Sequence, residues 1–320
     1  MRQALLAAAP LLPMLESALR EEFELTPLPA GGERDAFLAQ HGPRFQGLVT
    51  SATIGADAAL IDRLPALRVV SSFGVGLDRL DLPAAARRDI AVGYTPDLLS
   101  DCVADMAFGL LLDVARRVSQ GDRFVRAGRW KDVPGTPPPS MFPLGRRVSG
   151  TRLGIVGLGR IGRTVARRAS GFDMEVRYTN RNPVPDVPWT WEKNLLELAR
   201  WADFLVVCAA GGPETRHLVD ERVLEALGAK GFLVNIARGT VVDEAALVRA
   251  LREGRIAGAG LDVFEREPQV PAELLSLDNV VLLPHLSSAT AQTREAMAGR
   301  VVENLRSFFA TGTLVSPAPL

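Results

Sequence analysis

The chain of 320 residues has only two cysteines and three histidines. Cys102 and Cys208 stand in apolar or helix-like surroundings with no Cys-x-x-Cys spacing. That points away from a disulfide scaffold and from any metal site, and towards a reducing cytoplasm. Neither sign of charge is in excess: Lys+Arg and Asp+Glu balance at 37 each, so no broad field draws nucleic acid or an anionic membrane. The arginines are scattered along amphipathic segments and form no basic tail. No stretch reaches the roughly 18 uninterrupted apolar residues of a membrane span. Repeats and low-complexity tracts are missing too. The opening MRQALLAAAPLLPML has the composition of a secretory leader, but Pro10 and Pro13 interrupt it and MLESALREEFEL follows as an amphipathic helix. The expectation is a first strand followed by a helix.

What remains is 47% hydrophobic and 23% charged residues, an ordinary soluble composition with enough length for two domains. Strand-like and helix-like segments alternate throughout, the pattern of an α/β protein with parallel sheets. GLVTSAT, LRVVSSF and IAVGYTP read as strands of an early sheet, with helices ADAALIDRLPA and LPAAARRD between them. One long helix is expected from Ser100 or Asp101, fading at Gly128. The Pro- and Gly-dense KDVPGTPPPSMFPLGRRVSG ends regular structure. From Thr151 a second core begins with six strands, TRLGIVG, MEVRYTN, ADFLVVCA, GFLVNIA, AGAGLDVF and NVVLLPH. TAQTREAMAGRVVENLRSFFATG closes the chain as an amphipathic helix.

Gly157, Gly159 and Gly162 form G-x-G-x-x-G between a strand and a helix. The first glycine suits the tight turn, the second the approach of a pyrophosphate, and the third close helix–strand packing. A structural glycine turn is the plainer alternative. The next strand ends not in an acidic residue but in Asn180-Arg181, 23 positions beyond Gly157. A neutral amide and a guanidinium suit the 2′-phosphate of NADP better than the bare ribose of NAD. The competing reading is a solvated loop arginine.

Three further residues fall at the ends of successive strands: Arg238 after GFLVNIA, Glu267 after AGAGLDVF, and His285 after NVVLLP. A guanidinium can grip a substrate carboxylate or keto oxygen, an imidazole can protonate a carbonyl, and a carboxylate can favour the imidazolium and orient it. A structural ion pair with a capping histidine remains the alternative. His41, in an expected polar loop, and His217, at an expected helix start, have weaker claims.

These residues, with GVGLDRLDL, TPDLLSDCVADMAFGLLL, LGIVGLGRIG, GPETRHLV, NIARGTVVDEAAL, GAGLDVFEREP and VVLLPHLSSAT, resemble the D-specific 2-hydroxyacid dehydrogenases over nearly the whole chain. The branch they resemble is that of the NADP-preferring glyoxylate/hydroxypyruvate and hydroxyphenylpyruvate reductases. The resemblance implies two Rossmann-like domains: a doubly wound nucleotide domain, residues 99–285, inserted in a discontinuous flavodoxin-like substrate domain, 1–98 and 286–320. It implies Arg238 for substrate binding, His285 as acid/base and Glu267 as its partner. Leu158, Gly159, Arg160 and Ile161 would touch the pyrophosphate, and Asn180, Arg181 and Asn182 would surround the 2′-phosphate. Cys208 would lie near the adenosine ribose, Ile236, Ala237 and Asp262 along the nicotinamide, and the amides of Val75 and Gly76 at the substrate carboxylate. A dimerisation arm over about 100–147 would bring Met141 or Phe142 to the partner's cleft in a cytoplasmic homodimer. Two departures stand out: Ser287 where glycine is usual, and AAGGPET after Cys208 in place of a Pro-containing form. The expected activity is NADPH-dependent reduction of small 2-keto acids, with no nucleic acid, membrane or metal involved. A dinucleotide-sensing binding protein and an NAD-linked D-lactate or phosphoglycerate enzyme are the alternatives.

Overall fold

The computed structural model describes residues 2–130 and 142–319, and the chain falls into two compact units, 1–99 with 289–320, and 100–288. In the first unit the order is β1 (Ala4–Ala7), α1 (Pro13–Glu22), β2 (Glu24–Pro27), α2 (Glu33–His41), β3 (Gly47–Ser51), α3 (Ala58–Asp62), β4 (Val69–Phe73), α4 (Leu82–Arg87) and β5 (Ala91–Gly93). Its five strands are all parallel, in the flavodoxin-like order β2-β1-β3-β4-β5. Alternate residues serve opposite faces. Leu5, Ala7, Val49 and Val69 pack with Leu15 and Leu19 of α1 and with Val301 and Leu305 near the end of the chain. Leu6, Leu48, Val70 and Val92 pack with Leu38, Leu60, Ile61 and Ala85. Burial on both faces is why these strands read as continuous apolar runs. Asp57 and Asp81 start α3 and α4 by accepting the amides of Leu60 and Ala84, each at 2.8 Å.

Two expectations fail here. The helix expected through LREEFEL stops at Glu22, because Phe23 and Leu25 are both buried in one cluster, a spacing of two that only extended chain provides. His41 is the last residue of α2, its ring 4.9 Å from that of Phe37, rather than part of a loop.

The second unit contains α5 (Ser100–Arg116), α6 (Val118–Arg126), β6 (Arg152–Val156), α7 (Arg160–Ala169), β7 (Glu175–Thr179), β8 (Thr190–Trp191), α8 (Leu195–Trp201), β9 (Phe204–Val207), α9 (Glu221–Leu227), β10 (Phe232–Asn235), α10 (Glu244–Arg252), β11 (Gly258–Leu261), α11 (Ala272–Leu275) and β12 (Val280–Leu282). The sheet is parallel in the order β12-β11-β10-β9-β6-β7-β8. Counted from β6 this is the 3-2-1-4-5-6 order of dinucleotide-binding sheets with one more edge strand, and the order reverses between β6 and β9. The strand not among the six expected is β8, two residues long, too short to show as a pattern in the sequence. Helices α8, α9 and α10 cover one face through Leu198, Leu224 and Leu247. Helix α5 lies so close to β11 that a Cβ at Gly260 would meet Leu110 at 2.9 Å. The small residues of GAGL therefore serve close helix–sheet packing. A last helix, α12 (Ala291–Thr311), belongs to the first unit and is capped by Thr290, whose side chain accepts the Thr293 amide.

The single long helix expected from Ser100 is two helices. Arg117 turns left-handed at φ 58°, and Asp113 accepts the backbone amide of Ser119 at 2.7 Å to begin α6. The returning chain then takes the carbonyl of Ala115 with the Arg146 amide at 2.7 Å, which terminates α5. Both ties are made by side chain or distant backbone, so helical periodicity cannot reveal them. Phe142 packs edge-on against Phe124 of α6 at 5.5 Å, while Met141 lies outside the described residues. Among the described residues no helix is long and apolar enough to cross a membrane.

Candidate active site

The glycine loop lies at the end of β6, beside the point where the strand order reverses. Gly157 has φ 98°, and a Cβ there would meet the Ala209 amide nitrogen at 2.6 Å. A Cβ on Gly162 would meet the Gly157 carbonyl oxygen at 2.2 Å, so α7 can approach β6 only without a side chain there. Gly159, the N-cap of α7, has nothing within 4 Å of its Cβ position. Open space over a helix start, whose first-turn amides lack intrahelical acceptors, fits a pyrophosphate. The Leu158 amide is already paired with Asn180 Oδ1 at 2.7 Å. Asn180 thus braces the glycine loop from β7, and its carbonyl accepts the Trp191 indole N–H at 3.2 Å.

Arg181 and Asn182 are exposed beyond β7, and Arg181 pairs with Glu214 at 2.6 Å. Glu214 is carried by a 3-10 turn, Pro213–Thr215, tied back by the Thr215 hydroxyl on the Ala210 carbonyl at 2.7 Å. Cys208 follows β9, and burial pushes its thiol up to about 12. Ile236 is buried after β10 and Ala237 half-buried.

Arg238 stands two residues further on. The buried Asn235 shapes this turn: its amide donates to the Arg238 carbonyl at 3.0 Å and its Oδ1 accepts the Ala237 amide at 3.1 Å. The guanidinium is tethered to the Ala237 carbonyl at 2.9 Å. Gly239 then allows contact with the next segment, since a Cβ there would fall 1.9 Å from the Phe264 carbonyl carbon. The Arg238 turn is thereby pressed against the turn that leads to Glu267.

Glu267 bends back on its own turn, Oε1 accepting the Phe264 amide at 3.1 Å while Oε2 meets His285 Nδ1 at 2.8 Å. Burial pushes the Glu267 carboxyl up. The hydrogen bond and charge of His285, the Phe264 amide and the Arg238 charge together outweigh it and hold the group below the usual carboxylate range. His285 itself is left-handed at φ 56°. Asp262, 1% exposed, holds that conformation. Its carbonyl accepts the His285 amide at 2.9 Å, and its two carboxylate oxygens accept the amides of Leu286 and Ser287 at 2.6 and 2.8 Å. A cation, an anion and an imidazole thus gather in one unit at the ends of β10, β11 and β12. Such a group can bind a carboxylate, deliver a proton and orient the donor.

Ser287 is buried with its hydroxyl lacking a protein partner. Val75 and Gly76, half-buried, lie in the loop after β4 of the other unit. His217 is not at a helix start: it occupies a turn at φ 51°, and α9 begins only at Glu221. Asn235 is the site neighbour that motif reasoning missed. The one signal for Asn235 was a polar amide ending an apolar strand.

Residues 108–287 match the family model of the D-isomer specific 2-hydroxyacid dehydrogenase, NAD binding domain. The chain is 45% identical over 312 residues to a glyoxylate/hydroxypyruvate reductase of Arabidopsis thaliana, covering 98% of this chain and 97% of the relative. It is 46% identical, with the same coverage, to the hydroxyphenylpyruvate reductase of Plectranthus scutellarioides. Among solved structures it resembles the NADPH-dependent glyoxylate/hydroxypyruvate reductase of Sinorhizobium meliloti, crystallised with NADP and malonate. That likeness has a TM-score of 0.91 and 41% identity, over 99% of this chain and 97% of that one. With a doubly wound sheet, a glycine loop at its switch point and relatives of this likeness over nearly its full length, the chain belongs to the D-isomer specific 2-hydroxyacid dehydrogenases.

Proposed function

We propose that the protein reduces small 2-keto acids, glyoxylate and hydroxypyruvate first, to D-2-hydroxy acids with NADPH. The observation that carries this is the Glu267–His285 pair at 2.8 Å beside the Arg238 charge, in a chain 45% identical to a glyoxylate/hydroxypyruvate reductase. NADPH, when bound, supplies hydride to the keto carbon. Arg238 grips the substrate carboxylate or keto oxygen with its planar fork. His285 donates a proton to the keto oxygen as charge develops there, and Glu267 stabilises the imidazolium before transfer and orients it through Nδ1. The imidazole then regains its proton from solvent.

The cofactor contacts follow the same reading. Leu158, Gly159, Arg160 and Ile161 touch the pyrophosphate in the cofactor loop that Gly157 and Gly162 shape, and Asn180, Arg181 and Asn182 surround the 2′-phosphate. Cys208 lies beside the adenosine ribose, with Ile236, Ala237 and Asp262 beside the nicotinamide. Arg181 supports NADP over NAD, because a guanidinium favours a doubly charged phosphate and no carboxylate ends β7 to repel it. The amides of Val75 and Gly76 are the proposed further ligands of a substrate carboxylate. Residues 1–98 and 286–320 form the substrate domain and 99–285 the nucleotide domain, with a dimerisation arm over about 100–147 of a cytoplasmic homodimer.

Steady-state oxidation of NADPH and of NADH with glyoxylate, hydroxypyruvate, hydroxyphenylpyruvate and pyruvate tests the proposal. Glyoxylate or hydroxypyruvate with NADPH should have the highest kcat/KM. Tight NADPH binding without turnover of any keto acid would identify a sensing protein instead, and a strong preference for NADH would defeat the role given to Arg181.

A further inference from the structure

Two residues before Glu267, a second histidine–carboxylate pair lies outside the chemistry described so far. Glu265 Oε1 accepts from His217 Nε2 at 2.6 Å and from Arg216 Nη2 at 3.1 Å. The pair is more enclosed than an ordinary surface bridge, with side-chain exposures of 35% for His217 and 19% for Glu265. Its backbone is anchored as well. The His217 amide donates to the Thr240 carbonyl at 2.8 Å, and Val219 continues the strip, donating to Val241 and accepting from Asp243, each at 3.0 Å. The residues paired in this way follow directly on Arg238.

One residue therefore reaches both turns of the site. Through its backbone, His217 holds the segment after Arg238, and through its ring it holds the turn before Glu267. A third tie comes from the Glu265 amide, which donates to Glu244 Oε2 at 3.1 Å near the start of α10. Glu244 is held above its usual range by burial first and by the nearby Glu265 charge, against the pull of the Glu265 amide and of Arg266. Exposed Arg266 is the remaining charge on this turn. His217 holds this place with a left-handed backbone at φ 51°, a conformation uncommon for residues other than glycine.

We propose that His217 is a positioning residue of the reductase site: through Glu265 it sets the spacing between the turn bearing Arg238 and the turn bearing Glu267. This rests on the reading that those two residues serve keto-acid reduction. A displacement of about 1 Å between a binding group and a proton donor's partner is enough to lower turnover about a hundredfold. The contact is not needed at the glycine loop, so nucleotide affinity should not depend on it.

The test uses the full chain. Asn is well tolerated in the left-handed region and is too short to reach Glu265, whereas the Gln amide nitrogen can take the place of Nε2. His217→Asn should lower kcat for glyoxylate about tenfold or more while the Kd for NADPH stays within about twofold. Hydrogen exchange at the Phe264 and Glu265 amides should quicken. His217→Gln should keep kcat within about threefold of the parent, and Glu265→Ala should reproduce the loss. The double variant His217→Asn with Glu265→Ala should be no worse than either single one. The proposal is overturned if His217→Asn and Glu265→Ala both retain parental kcat, or if the Asn and Gln variants are equally impaired. Should the Asn variant fail to fold, Glu265→Ala and the Gln rescue decide the matter alone. His285→Asn separates the two readings. Undiminished turnover in that variant sinks the proposed reaction, whereas its loss together with parental His217→Asn turnover sinks only the positioning role.

Discussion

Replacing Glu267 with Gln removes one charge and almost no volume. The amide oxygen can still accept the Phe264 amide, a contact of 3.1 Å in the parent, so the turn should survive. What is lost is the charge opposite His285 Nδ1, 2.8 Å from Oε2. With its one oxygen on the Phe264 amide, the Gln side chain turns its –NH2 towards Nδ1–H, which is left without an acceptor, so the substitution should withdraw the whole charge-assisted hydrogen bond, about 1.5–3 kcal/mol, from the protonated imidazole. At 1.4 kcal/mol per factor of ten, kcat/KM for glyoxylate reduction at neutral pH should fall about ten- to a hundredfold. Affinity for NADPH should hardly change. Following NADPH absorbance under steady state measures the first, and fluorescence titration the second. The effect of Glu267→Gln should vanish in a His285→Asn background, because the carboxylate acts only through that ring. Parental turnover in Glu267→Gln, or an equal further loss without the histidine, would refute the reasoning. Stability supplies a second check with a definite sign. The folded-state carboxyl is held below its unfolded value, so its contribution is present above the unfolded pKa of about 4.3 and disappears as pH drops through the folded value. The parent should therefore lose Tm more steeply than Glu267→Gln on acidification below about pH 4.3.

Other outcomes follow from the same geometry. Asp262→Ala leaves the buried amide of Ser287 and that of Leu286 without their acceptor, at about 1–3 kcal/mol each. Urea unfolding should show a loss of about 2–6 kcal/mol, with kcat reduced as the His285 turn loosens; a change under about 1 kcal/mol would count against the clamp. Arg181→Ala should raise the Kd for NADPH about tenfold and leave that for NADH nearly unchanged, as isothermal titration would record. Burial keeps the Cys208 thiol protonated far above neutral pH, pushed up to about 12. Cys208 is only partly covered, so at pH about 8 a thiol reagent should reach it but react far more slowly than with an unperturbed thiol, and fast modification mapped to Cys208 by peptide mass would contradict that assignment.

Much of this protein is written locally. Gly157 and Gly162 announce themselves in sequence because the turn between β6 and α7 leaves no room for a Cβ at either place. The strands of both sheets show as apolar runs because helices cover both faces of each. Arg238, Glu267 and His285 are legible as residues ending successive strands, where parallel sheets present their side chains together. Apart from the Glu267–His285 pair, the partners that hold them were not legible, because each contact is made by residues far apart in the chain. Asp262 grips the amides of Leu286 and Ser287, 24 and 25 positions on, and His217 meets Glu265 across 48. Asn180 turns out to hold the Leu158 amide, 22 positions back, a bond that no motif spacing specifies. The break at Arg117 was hidden for the same reason, since Arg146 supplies the amide that ends α5. The sequence alone determined where chemistry-bearing side chains leave the sheet, through periodicity and the steric demands of glycine. Only the tertiary structure decided which groups hold them there, because a hydrogen bond across a fold depends on distance in space and leaves no period along the chain.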